Sequence, residues 1–135
     1  SVAVEKILLK LERANVPSGE DNNVSKKIAA YVEENYFLPI GGKDIEREFY
    51  ISFDYANRVF KRSTGVSIVK YRNDVRLANA KAMILATDNP LSQIAADTGF
   101  ENAHYFSRIF KKEVGVSPSE YKNEFLRRDI NARHE

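Results

Sequence analysis

Residues 51–71 of this chain recur at 101–121, and that repeat restricts the fold more than any other feature. At a constant offset of 50, Tyr55, Arg58, Phe60, Lys61, Gly65, Val66, Ser67 and Tyr71 meet Tyr105, Arg108, Phe110, Lys111, Gly115, Val116, Ser117 and Tyr121. Upstream the offset becomes 49, so that Ile45 meets Ile94 and Ile51 meets Phe100, and the second turn carries one extra residue. Whatever supersecondary unit one copy builds, the other must build as well. Two copies are too few for a solenoid, which needs roughly three or more to bury a continuous core.

Each copy reads as a short helix, a tight turn and a longer helix. Strand signals are nearly absent, with no sustained apolar/polar alternation and no Asn-Gly or Asp-Gly hairpin turn. Apolar residues fall instead at helical spacing. Val24 to Phe37 places Ile28, Tyr31, Val32 and Tyr36 on one stripe and ends at Pro39 and Gly41-Gly42. A short helix over 43–49 and a turn at 50–52 lead into a helix from Phe53 to Thr64, which Gly65 stops. A long helix from Ile68 to Ala86 ends at Asp88-Asn89-Pro90. Leu91 to Thr98 stops at Gly99, and Asn102 to Val114 stops at Gly115. Ser117, Pro118 and Glu120 supply an N-cap, a first-turn proline and a third-position acid for a final helix through Arg127. The expected fold is all-α with about seven helices. Val4, Ile7, Leu8 and Leu11 make a further amphipathic stretch, too short to hold a coiled coil alone. Pro17 to Asn23 reads as a linker.

The repeat also carries chemistry. In the second copy Ile94-Ala95 puts an apolar and a small residue where two helices cross, and Gly99 permits the positive φ of the turn. Phe100, Phe106, Ile109 and Phe110 share a face for burial, leaving Ala103, His104, Ser107, Arg108 and Lys111 outside. An outer face of that kind suits the DNA major groove, where Arg bonds bidentately to guanine and neighbouring donors hold phosphates. Net charge is only +2, but residues 52–76 hold six basic groups against two acidic ones, while residues 21–51 hold four against six. The basic zone fits a phosphate-facing surface and equally an ordinary solvated face. Tyr55, Phe60, Tyr105 and Phe110, at helical spacing, are expected in the core.

Other function classes find little support. With no Cys, disulfides, thiolate metal sites and Cys nucleophiles are excluded, which suits a reducing cytoplasm. His104 and His134 alone make no zinc cluster. No phosphate-cradling Gly-rich loop occurs, and nothing places Ser, His and Asp as a triad. The expectation is therefore no enzyme and no cofactor. No apolar run approaches the ~20 residues that cross a bilayer, so no membrane partner is expected. The residues themselves leave two readings open, a DNA reader and a helical module that binds protein, and favour the first.

The run from Leu91 to Tyr121, with Ile94-Ala95, Gly99-Phe100, Tyr105-Phe106, Arg108, Phe110-Lys111, Gly115 and Ser117-Pro118, resembles the signature of the AraC/XylS family of transcription regulators. The resemblance spans about residues 24–127. It implies two homeodomain-like helix-turn-helix subdomains joined by a linker helix over 68–86, roughly 28 Å long. Such a helix would set two recognition helices in successive major grooves about 34 Å apart. Carried over by position, it implies base contacts from Asp54, Asn57 and Arg58, and from Ala103, His104, Ser107 and Arg108. Ser52, Lys61, Asn102, Lys111 and Lys112 are then phosphate contacts. The chain departs from the pattern at Glu46, where a small residue is usual, at Tyr50, where Gly is usual, and at Gly41-Gly42 in place of a better cap. Asp54 is expected to pair with Arg58 four residues on.

The expected domains are residues 1–23 as the tail of an upstream domain and linker, 24–67 as the first subdomain, and 68–86 as the linker helix. Residues 87–128 form the second subdomain and 129–135 a C-terminal tail. Ser1 in place of Met suggests a fragment of a longer protein. The resemblance implies double-stranded DNA and RNA polymerase as partners, an activator's role in a bacterial cytoplasm, and a homodimer formed through a missing domain.

Overall fold

The computed structural model describes residues 19–134, which form seven helices and no strand. These are α1 (Gly19–Asn35), α2 (Gly42–Phe49), α3 (Phe53–Thr64), α4 (Ile68–Ala86), α5 (Leu91–Asp97), α6 (Ala103–Val114) and α7 (Pro118–His134). The amphipathic stretch expected over Val4 to Leu11 lies outside the described residues.

Two helix ends differ from the sequence reading. Helix α1 begins at Gly19, inside the stretch read as linker, rather than at Val24. Its Gly, Asp and Asn residues have linker composition, but Glu20 and Asp21 put negative charge in the first turn, where the helix dipole favours it. Asp21 also accepts from Arg62 at 3.0 Å, a tertiary tie that composition does not reveal. Helix α7 continues past Arg127 to His134. Across and beyond that point Glu124 pairs with Arg127 and Arg128, and Asp129 with Arg133, at helical spacings that each contribute a few tenths of a kcal/mol.

The packing divides the chain into two units. The first holds α1 and residues Ile40–Asn73; the second holds Tyr36–Pro39 and everything described from Asp74 onward. The long helix α4 is thus divided between the units at Asn73 and Asp74. Ile68 is buried with Ile28, Val32, Ile45, Ala56, Val59 and Phe60 in the first core. Leu77, Ala80 and Ile84 join Ile94, Ala95, Phe100, Phe106 and Phe110 in the second.

The two units repeat each other in detail. Phe60 meets Tyr71 at 5.3 Å between ring centroids, and their counterparts Phe110 and Tyr121 meet at 5.6 Å. Both phenylalanines are fully buried, each contributing about 1.5–3 kcal/mol of transfer free energy. Ser67 and Ser117 accept from the backbone N–H of Lys70 and Glu120, each at 3.1 Å, and so cap α4 and α7. The turn between α2 and α3 passes through Tyr50 at φ 56°, and the turn after α5 through Gly99 at φ 91°. The offset of 49 read from the sequence aligns these two left-handed residues.

Candidate nucleic-acid interface

The second helix of each motif, α3 and α6, starts from a matched cap. The Ser52 side chain accepts from Tyr55 N–H at 3.2 Å, and Asn102 Oδ1 accepts from Tyr105 N–H at 2.8 Å. Each cap satisfies one orphan donor and leaves a donor of its own free, the Ser52 hydroxyl hydrogen and the Asn102 amide.

One turn further on stands the feature common to both helices. The Arg58 guanidinium lies 6.0 Å from the Tyr55 ring centroid, and Arg108 lies 5.9 Å from that of Tyr105. Neither arginine makes an ion pair among the described residues. Both are exposed, so each holds its charge to solvent with its guanidinium over an aromatic ring. The sequence reading placed both tyrosines in the core. Tyr55 is instead 43% exposed, whereas Tyr105 is half-buried and packs against the second core. The i,i+3 spacing of Tyr and Arg, repeated at the offset of 50, was the available signal. Phe60 and Phe110 are buried as expected.

Asp54 is exposed and is not paired with Arg58, contrary to expectation; Arg58 has turned to Tyr55. An acid in the first turn of α3 is stabilised by the helix dipole without any partner. Asn57 is half-buried, and its Oδ1 accepts the Ile68 N–H at 2.9 Å, holding the start of α4. His104 is exposed and Ser107 half-exposed on the same side of α6 as Arg108. Ala103 is half-buried and packs against the second core, so little of its methyl is left to meet a base. Lys61, Lys111 and Lys112 are exposed near the C-terminal ends of their helices, and none is ion-paired among the described residues. Arg62 is held by Asp21.

The departures from the family pattern have local explanations. Glu46 is exposed, and its Oε2 accepts the Phe53 N–H at 2.9 Å, so that it adds a second cap to α3. Its counterpart Ala95 is fully buried in the second core, where a carboxylate could not stand. At the start of α2 the Gly41 N–H donates to Asp44 Oδ2 at 2.8 Å, so Asp44 supplies the cap that Gly41 lacks.

The two outer faces are alike in plan and unequal in charge. Around α3 the cations without an ion pair among the described residues are Arg58 and Lys61, with Asp54 on the same helix. Around α6 they are Arg108, Lys111 and Lys112, with the His104 imidazole nearby.

The helix-turn-helix domain family matches residues 45–124. An uncharacterized HTH-type transcriptional regulator of Bacillus subtilis, YisR, is 30% identical over 107 residues, covering 78% of this chain and 37% of that protein. The HTH-type transcriptional activator RhaS of Salmonella schwarzengrund is 27% identical over 103 residues, covering 75% of this chain and 37% of RhaS. This chain therefore spans well under half the length of these relatives. Among solved structures, the C-terminal domain of the response regulator AraT from Geobacillus stearothermophilus superposes with a TM-score of 0.73. It is 26% identical, with 75% of this chain and 84% of that one covered.

Proposed function

The chain belongs to the helix-turn-helix domain family, in its AraC/XylS branch, and from that premise we propose how it reads double-stranded DNA. Helices α3 and α6 each enter a major groove, and one chain reads an asymmetric site of two parts in successive turns. The observation that carries this reading is the repeated arginine on its tyrosine, Arg58 on Tyr55 and Arg108 on Tyr105. A guanidinium held by a ring and free of carboxylates is pre-oriented for the O6 and N7 edge of guanine.

His104 and Ser107 extend the edge that α6 presents to the bases. Asp54, without a cation of its own, accepts from cytosine N4 and disfavours any closer phosphate. Asn57 serves the fold in this reading, because its acceptor is committed to Ile68. Lys61, Lys111 and Lys112 contact phosphates, and Ser52 and Asn102 contribute neutral donors at the helix starts. No step of catalysis is assigned. At the level of the whole protein we propose an activator that engages RNA polymerase and dimerises through a further domain, as an extension from the activator RhaS.

The test is selection from a random duplex library, followed by titration of the enriched duplex at several salt concentrations. Arg58→Ala and Arg108→Ala should each relax a different part of an asymmetric motif, and affinity should fall steeply with salt. Absence of any enriched motif, with affinity indifferent to salt, would refute the reading and favour a protein-binding module.

A further inference from the structure

The turn that leads into α6 is built partly from residues that precede α2 in the chain. Arg76, on α4, is 5% exposed and donates from Nε to the Tyr36 carbonyl at 2.7 Å and from Nη2 to the Leu38 carbonyl at 2.8 Å. Its guanidinium carbon also lies 5.9 Å from the Phe100 ring centroid. Gly99 sits so close that a Cβ there would be 2.8 Å from Arg76 Nε and would collide with the Tyr36 carbonyl oxygen. Residues Tyr36–Pro39, Arg76, and the Gly99–Phe100 turn thus form one packed assembly inside the second unit.

That assembly ends two residues from the cap of α6. Phe100 N–H donates to Ala95 O at 2.9 Å, and Asn102 then caps the helix that carries His104, Ser107 and Arg108. A buried guanidinium with two carbonyl acceptors has little freedom, because any shift leaves charge and carbonyls unsatisfied out of water. In the first unit Arg72, also on α4, donates from Nη1 to the Ile40 carbonyl, ahead of α2, at 2.8 Å. The first turn is held by the Glu46 carboxylate, which accepts the Phe53 N–H at 2.9 Å.

We propose that Arg76 is a positioning residue for base reading by α6, acting through the Tyr36–Pro39 segment and the Gly99 turn. The second reader is therefore composite: residues 36–39 belong to it although they lie before the first helix-turn-helix motif. This rests on the DNA-reading function proposed above. The two turns are aimed by different devices, so specificity in the two parts of the site is separable by mutation.

The experiment uses the full chain and the duplex selected by the wild type. Arg76→Lys keeps the charge and loses the two-pronged grip, while Gly99→Ala keeps the guanidinium but pushes it and the Tyr36 carbonyl apart from the turn. For each variant we would measure discrimination against a substituted base in each part of the site. Exchange of the Gly99 to Asn102 amides would be followed without DNA, below the onset of unfolding. Both variants should lose about tenfold in discrimination within the part read through Arg108 while keeping the part read through Arg58. The same amides should exchange faster, and Glu46→Ala, which removes the acceptor for Phe53 N–H, should give the opposite pattern. Equal losses in both parts, or unchanged discrimination at the Arg108 part, would overturn the inference. A wild type that selects no two-part motif removes the DNA reading itself, and unchanged amide exchange in Arg76→Lys overturns the clamp independently of DNA.

Discussion

Replacing Tyr50 by Gly should stabilise the protein, although it deletes an aromatic side chain. Tyr50 holds φ 56° and is the only non-glycine residue at positive φ among the described residues. A side chain with a Cβ costs about 1–2 kcal/mol in the left-handed region. Against that gain stands the extra conformational entropy that Gly loses on folding, about 0.5–1 kcal/mol. The Tyr50 side chain is 91% exposed, so almost no burial is forfeited. The balance is a gain of about 0.5–1 kcal/mol, or a Tm rise of about 2–5 °C for a chain of this size. The counterpart Gly99→Ala should go the other way. It meets the same left-handed penalty and adds a collision with the Tyr36 carbonyl, together a loss of about 2–4 kcal/mol. Thermal and urea unfolding followed by circular dichroism would read both, with amide exchange assigning each change to its unit. A lower Tm for Tyr50→Gly would show that the ring makes a stabilising contact and would refute the reasoning.

Three further outcomes follow from the geometry. Asn57→Ala should cost about 1 kcal/mol through loss of its bond to Ile68, yet leave the selected DNA motif unchanged. A relaxed base preference in the part read by α3 would return Asn57 to the base-reading set. Replacing both Lys111 and Lys112 by Ala should reduce the slope of log affinity against log salt by about 1–2, with motif preference retained. An unaltered slope would remove them from the phosphate contacts. The Tyr71 phenol is pushed up to about 12 by burial first, then by the Glu33 carboxylate to which it donates and whose charge opposes ionisation. Its folded value lies above the unfolded value of 10.0, so its contribution is complete below that pH and is lost as pH rises toward 12. Ultraviolet titration of Tyr71→Phe should therefore lack a late-ionising phenol, and of Glu33→Gln should show it ionising earlier. Loss of an ordinary phenol in Tyr71→Phe would contradict the assignment.

The architecture was legible because its determinants are local and occur twice. Gly65, Gly99 and Gly115 mark turns through positive φ, Ser67 and Ser117 mark helix starts, and Phe60 and Phe110 mark the buried face. These effects act over a few residues, so spacing alone conveys them. Exposure of Arg58, Arg108, Lys61, Lys111 and Lys112 was legible for the same reason, since helical periodicity decides which face is left outside.

What the tertiary structure decided are the partners that polar side chains take. Asp21 meets Arg62 across the first unit, Asn57 Oδ1 accepts the Ile68 N–H, and Arg58 lies by Tyr55 rather than pairing with Asp54. Glu46 reads as a misfit at a helix crossing until its carboxylate is seen on Phe53 N–H. Arg76 reads as one more cation in a basic zone until Tyr36 and Leu38 bring their carbonyls to it. Hydrogen bonds and ion pairs of this kind are worth about 1 kcal/mol each and depend on geometry. Periodicity tells which face of a helix is wet or dry; only the folded chain tells which donor meets which acceptor.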